Sequence, residues 1–323
     1  MTRFVHLWLA AVIAAASLVA QAQSTPRLIT LVVPYPAGGP LDASARILAT
    51  GAAARLGTIV VENKPGAGGG VGATQVARSA EGANQLLMGA VATHAANPYL
   101  YANFPYDPLK DFKPLVLVAS IPNVLVINTD QAKKFNIKTA ADLIAYAKKN
   151  VGQLNYGSGG NGSIGHIAGE MLKSLSGTRI VHIPYQGSAP AQLALLSGQV
   201  DFMIDNMASA LPQIRAGKLT ALGVTTLTRS EALPDVPSLN DTVSGFDVST
   251  WFGLFAPANA SAEAVQKYTT AFSDVLAAPE NKEKFAKMGI VPPTVVGAEF
   301  DRFVRAENTK YGALIKTVKI KLD

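Results

Sequence analysis

The sequence predicts an α/β protein of two lobes joined by two hinge strands, and three observations predict it. Apolar strand patterns alternate with helical ones along the chain, as α/β architecture requires. The 323 residues leave about 300 after an export leader, room for two domains at roughly 100 to 200 residues each. Two long strand patterns, Leu115 to Ile127 and Thr250 to Ala256, flank a middle section with its own full set of elements. A chain that leaves one domain and later returns to it would cross there.

The elements follow in order. Met1, Thr2 and Arg3 precede an apolar run from Leu7 to Ala20 and the small-x-small site Ala20, Gln21, Ala22. That pattern is a secretory signal peptide over residues 1–22, cleaved near Ala22. The run is shorter than the roughly 20 residues of a membrane span, so the mature chain is expected to be soluble and exported. Strand patterns then fall at 29–33, 58–62, 85–90, 115–127, 154–157, 180–184, 200–204, 219–225 and 250–256. Helical patterns fall at 41–56, 140–149, 164–175, 189–197, 262–276 and 299–315. The alternation predicts largely parallel sheets. The lobes are expected at residues 24–125 with 250–323, and at 126–249. No internal repeat marks a solenoid.

Composition narrows the function classes. With no cysteine, disulfides are excluded and the fold must stand on its core. Lysine and arginine number 28 against 22 acidic residues, and removing Arg3 with the leader leaves 27 against 22. A mild positive excess steers anions. The nearest thing to a basic run, Lys316, Lys319 and Lys321, reads as a solvated tail, so no nucleic-acid partner is expected.

Two bare loops stand out. Pro34 to Pro40, within LVVPYPAGGPLDASARILA, joins a β-branched strand to a helix. Tyr156 to His166, YGSGGNGSIGH, repeats that arrangement and adds the hydroxyls of Ser158 and Ser163. Glycines let backbone approach closely, and a strand–loop–helix turn presents N–H groups and a positive helix end to an anion. The plainer reading is that Ser163 only caps its helix. Neither serine has glycines two residues before and after it, so a hydrolase elbow is absent. No spacing singles out His94, His166 or His182 as a base. PGAGGGVGA at 65–73 contains a G-x-G-x-x-A match, but the next strand ends without the acidic residue that dinucleotide binding wants. No cofactor is expected. Without cysteine or a histidine pair at helical spacing, no metal site is expected either. Asp205 and Asn206 end a strand, where α/β sheets place ligands. A carboxylate there would accept a hydrogen bond from a ligand hydroxyl or ammonium.

Eight motifs then occur in order: VPYPAGGPLDASAR, VENKPGAGGGVGA, ATHAANPYLY, YGSGGNGSIGHIAGE, IPYQGSAPA, VDFMIDN, LTALGVTTLTRSEALPDVPSLND and FDRFVRAENTKYGALIK. Together they resemble the Bug/TctC-type periplasmic solute-binding receptors of tripartite tricarboxylate transporters, over essentially the whole mature chain. The resemblance implies a two-lobed periplasmic-binding-protein (Venus flytrap) fold without catalysis. Such a receptor is a periplasmic monomer that closes on a small organic acid (a di- or tricarboxylate, an acidic amino acid or an aromatic acid) and delivers it to membrane permease subunits. It implies ligand contacts from Tyr35, Ala37, Gly38, Gly39 and Asp42 in the first lobe, and from Ser158, Asn161, Gly162, Ser163 and His166 in the second. Thr93, His94, Tyr185, Gly187, Asp205 and Asn206 would line the walls. Leu41 stands where many relatives carry a hydroxyl residue. Two other readings stay open at this point: a receptor that signals to a membrane sensor, and an exported serine hydrolase using Ser158 or Ser163.

Overall fold

The computed structural model describes residues 28–80, 84–318 and 320. The expected signal peptide, with Lys319 and Lys321, lies outside the described residues. Among the described residues no helix is long and apolar enough to cross a membrane.

Nine strands form one continuous, curled sheet: β1 (Ile29–Val33), β2 (Ile59–Asn63), β3 (Gln85–Ala90), β4 (Phe112–Asn128), β5 (Asn155–Ser158), β6 (Val181–Pro184), β7 (Phe202–Asn206), β8 (Leu219–Val224) and β9 (Ser249–Pro257). Their order is β2-β1-β3-β9-β4-β7-β5-β6, with β8 paired to β4. The 17-residue β4 holds the two halves together. Its stretch Phe112 to Pro122 pairs with β9, and its stretch Asn123 to Asn128 pairs with β7 and β8. One strand thus belongs to both lobes.

The sheet is mixed, where the alternation predicts a largely parallel one. Pairings β1–β2, β1–β3, β5–β6 and β5–β7 are parallel. Pairings β3–β9, β4–β7, β4–β8 and β4–β9 are antiparallel. Each lobe keeps its βα crossovers parallel, while the strands that carry the chain between lobes run against their neighbours.

Both faces of β1 and β3 are largely buried, which explains their near-continuous apolar runs. Ile29, Leu31 and Val33 pack with Ala45, Leu48 and Ala52 of helix α1 (Pro40–Leu56). Val32 and Leu87 turn the other way, into a core that also holds Phe300, Val304 and Tyr311 of the C-terminal helix Gly297–Val318. In the second lobe, Val124 and Val126 of β4 meet Ala191, Leu195, Ala210 and Leu211, while Leu125 and Ile127 meet the opposite layer with Tyr156 and Phe202. The alternation of β4 serves both layers at once.

The C-terminal helix ties itself to the start of β9 by two polar contacts and to the turn after β3 by a third. Trp251 Nε1 donates to Glu307 at 2.9 Å, Tyr311 Oη donates to the Ser249 carbonyl at 2.8 Å, and Asn308 Nδ2 donates to the His94 carbonyl at 2.8 Å. Beneath it, Gly253 lets the helix approach the sheet. A Cβ at Gly253 would collide with the Phe300 ring and stand 2.6 Å from the Val116 carbonyl oxygen, and backbone cannot swing aside. Gly253→Ala should therefore destabilise the protein by about 1 to 3 kcal/mol. A denaturant midpoint unchanged from the parent would show that this packing is looser than the distances state.

Candidate functional site

Four helices begin at one cleft between the lobes. Its volume is about 840 Å³ including the open mouth. From the first lobe comes α1. From the second come α2 (Ile164–Ser176), α3 (Ser188–Leu196) and α4 (Met207–Arg215). Each start places residues in the cleft wall, among them Gly39, Ser163, Gly187 and Asn206.

Local sequence leaves these starts rich in donors. Gly39 and Gly187 are the N-cap residues of α1 and α3, and neither start has a side-chain cap. A helix without a side-chain cap exposes its first N–H groups to water or a ligand. In α1 these are Leu41 and Asp42, since Pro40 has no N–H and the Ala43 N–H already bonds the Gly39 carbonyl. Gly187 sits at φ +115°, a conformation glycine adopts without strain. The other two starts are capped: Ser163 Oγ accepts from the His166 N–H at 3.3 Å, and Asn206 Oδ1 accepts from the Ala208 N–H at 3.0 Å. Gly165 allows α2 to start close against β7, for a Cβ there would lie 2.8 Å from the Ile204 carbonyl oxygen.

No lysine, arginine or histidine lines this cleft among the described residues. Its charged side chains are Asp42 and Asp205. Asp42 is occupied: its carboxylate accepts from the Gly38 N–H at 3.0 Å, from Asn63 Nδ2 at 3.0 Å and from two nitrogens of Arg46 at 2.9 and 3.0 Å. Burial alone would raise its pKa, but the hydrogen bonds from Arg46, Gly38 and Asn63 together hold it below the usual value. Asp42 thus clamps the loop ahead of α1 into shape. Asp205 is different. Burial pushes its carboxyl up to about 7 against hydrogen bonds from the Asn206 N–H at 2.7 Å and Gln192 Nε2 at 3.0 Å.

The lobes meet across the cleft. A Cβ on Gly39 would stand 3.3 Å from Ser188 Oγ, one on Gly187 3.3 Å from Pro36, and one on Gly68 2.8 Å from the Asn161 carbonyl oxygen. Each of these pairs joins first lobe to second, so the arrangement is a closed one.

Of the residues expected at a ligand, Tyr35, Ala37, Gly39, Asp42, Ser163, Gly187, Asp205 and Asn206 line the cleft. Gly38 faces an adjoining groove and spends its N–H on Asp42. Asn161 and Tyr185 line a neighbouring cavity with Tyr35 and the loop Pro65 to Gly69. The remaining five sit behind the walls. Thr93 hydroxyl bonds the Ala90 backbone and the His94 ring, while His94 is wholly buried and stacked on Phe255 with centroids 3.8 Å apart. Burial drives His94 down to about 3. Ser158 Oγ lies 2.7 Å from His182 Nε2 and also bonds the Gly160 backbone. His182 stacks on His166, whose Nδ1 accepts the Gly162 N–H at 3.1 Å. Burial, chiefly, depresses His182 to about 3 and His166 to about 4. Thr93, His94, Ser158, Gly162 and His166 thus shape the walls without reaching the cleft, because the strand ends and helix turn that carry them fold their side chains or N–H groups inward.

Sequence reading passed over Ser188, Ala189, Met203, Ile204 and Thr250, all cleft-lining. Ser188 stood one residue past Gly187 in the quoted IPYQGSAPA motif. Thr250 looked like an ordinary strand residue.

Among known proteins, the model of the tripartite tricarboxylate transporter family receptor matches residues 44–320. An Agrobacterium vitis protein from the TAR-I ttuE-ttuC' intergenic region is 37% identical over 282 residues, covering 85% of this chain and 79% of its own. An R. palustris protein solved with adipate is 31% identical, with a TM-score of 0.86 over 93% of this chain and all of its own. MatC from Rhodopseudomonas palustris, solved with bound malate, is 31% identical with a TM-score of 0.84 over 90% of this chain and all of its own.

Asp205 supplies a pH prediction. Folded, it keeps its proton up to about pH 7, whereas an ordinary aspartate carboxyl releases it near 3.8. Its contribution to stability is therefore full below 3.8 and is lost as pH rises to about 7. His94, His166 and His182, held neutral by burial, act the opposite way over the same range. Comparing Asp205→Asn with its parent cancels them. The variant's unfolding free energy relative to the parent should rise steadily from pH 4 to pH 7, and a difference that does not change with pH would mean that Asp205 titrates as an ordinary surface carboxyl.

Proposed function

Because the chain belongs to the tripartite tricarboxylate transporter receptor family, we propose that it is an exported, monomeric receptor that captures a small organic carboxylate between its lobes and hands it to a membrane permease in the periplasm. The observation that carries this reading is the convergence of four helix starts, from both lobes, on one cleft without a cationic side chain. A carboxylate held there would be gripped by backbone N–H groups and positive helix ends. Hydrogen bonds to a charged group contribute roughly 1.5 to 3 kcal/mol each, so a few suffice for the roughly 8 kcal/mol of a micromolar complex. The adipate and malate held by relatives of this fold agree in chemistry.

We take residues 24–125 with 250–323 as one lobe and 126–249 as the other, with β4 and the start of β9 as the hinge. A ligand bridging the lobes gains its second set of donors only on closure. That makes closure and capture one event.

One pair invites a second reading. Ser158 Oγ and His182 Nε2, 2.7 Å apart, have the spacing of nucleophile and base. Ser158 is 1% exposed and lies outside the cleft lining. Among the described residues no carboxylate bonds His182 to orient it. Both facts favour capture over hydrolysis, and a serine-directed fluorophosphonate should leave Ser158 and Ser163 unlabelled.

The test of the reading is a thermal-shift panel of organic acids, amines and neutral sugars. Acids should raise the melting point, since a ligand specific for the folded state stabilises it. Shifts from amines or sugars alone would refute carboxylate capture. In calorimetry, Gly39→Val should weaken binding by about tenfold or more by placing a branched side chain where the lobes meet, at an extended φ of −85° that strains no residue. Ser158→Ala should leave the dissociation constant within about threefold, as its hydroxyl stays behind the wall. Equal losses for the two would place the grip elsewhere.

A further inference from the structure

If the helix starts hold a carboxylate, the cleft's hydrogen-bond acceptors decide what else the ligand carries. The Thr250 hydroxyl, at the start of β9, donates its proton to Asn123 Oδ1 at 2.8 Å. Asn123 is wholly buried where β4 passes from one lobe to the other, and Thr225 pins its backbone on both sides. The Asn123 N–H donates to Thr225 Oγ1 at 2.9 Å, and its carbonyl accepts from the Thr225 N–H at 3.0 Å and from Thr225 Oγ1 at 3.1 Å. Asn123 therefore cannot follow Thr250 into the cleft. A hydroxyl has one proton and two lone pairs, so Thr250 has only acceptor capacity left to offer.

Above about pH 7, where its carboxyl is ionised, Asp205 is the second acceptor. Its two oxygens take one donor each, from Asn206 and Gln192, and a carboxylate has room for about four. Leu41, Val91, Met203 and Ile204 share the same lining and can donate nothing from their side chains. The cleft is thus divided between donors at the helix starts and acceptors at Thr250 and Asp205. A ligand without a donor would leave the remaining lone pairs of those acceptors unused when the lobes close.

We propose that Thr250, its proton held by the positioning residue Asn123, acts with Asp205 to select carboxylic acids that carry a hydroxyl or ammonium donor over the same acids without one. This rests on the carboxylate-receptor reading and narrows it to a substrate class. A hydrogen bond to a charged acceptor gives a preference of about tenfold or more.

Calorimetry with matched acids tests it: propanoate and lactate, butyrate and 3-hydroxybutyrate, phenylacetate and mandelate, and succinate with malate and aspartate. In at least one set the donor-bearing acid should bind about tenfold more tightly or better. For that set, Thr250→Val, an isosteric change whose melting curve checks folding, should remove most of the preference while leaving the plain acid within about threefold. Thr250→Ser, which keeps the hydroxyl, should restore it. Asp205→Asn should lower the preference most for aspartate, whose ammonium loses its counter-charge. The proposal is overturned if the parent binds both members of every set equally, or if Thr250→Val weakens both members alike. If no acid of any set binds, the receptor reading itself fails and takes the proposal with it.

Discussion

The structure depends on backbone N–H groups that no helix can use. Every helix begins with such donors, and a globular protein ordinarily scatters or caps them. Here four helix starts face one cleft, two of them capped by glycines that supply no oxygen. Concentrated donors demand an anion or water. The side chains around them supply no positive charge, so any affinity for an anion comes from oriented dipoles that are built in before the ligand arrives. Such a site is indifferent to salt bridges and sensitive to backbone placement by fractions of an ångström.

That placement explains the rest of the architecture. Asp42 does not reach for a ligand; it receives Gly38, Arg46 and Asn63 and so freezes the loop that leads into α1. The Ser158, His182 and His166 cluster does the same work behind the second loop, with its polar groups satisfied among themselves. Between the two, β4 runs through both lobes and pairs antiparallel with β7, β8 and β9. The single continuous strand links the lobes, and glycines stand at several cross-cleft contacts, where a Cβ on Gly39, Gly68 or Gly187 would meet the opposite lobe.

Much of this was written locally in the chain. The strand patterns matched in place, and the helical pattern at 140–149 is the helix Ala140–Lys149 of the structure. The bare loops announced themselves through proline and glycine. What escaped the sequence was what depends on pairing at a distance. Strand direction in β4 and β9 is set by which lobe the chain has reached, and neither strand's residues record it. Helices Thr129–Phe135, Met207–Arg215 and Pro279–Lys287 are short, and the second carries Pro212 inside it, so their periodicity is weak. Thr93 and His94 looked like polar wall residues, yet their hydroxyl and ring turn inward to each other and to Phe255. Thr250 was invisible because its role comes from Asn123, 127 positions away.

The central claim is that backbone donors from both lobes share one carboxylate. Amide proton shifts measure it directly. In ¹⁵N-labelled protein titrated with the acid that stabilises it most, the amides of Leu41 and Asp42 in one lobe, and of Gly165 and Ala189 in the other, should move downfield along one common saturation curve. Shifts confined to a single lobe, or to side-chain amides while these four stay still, would contradict the account.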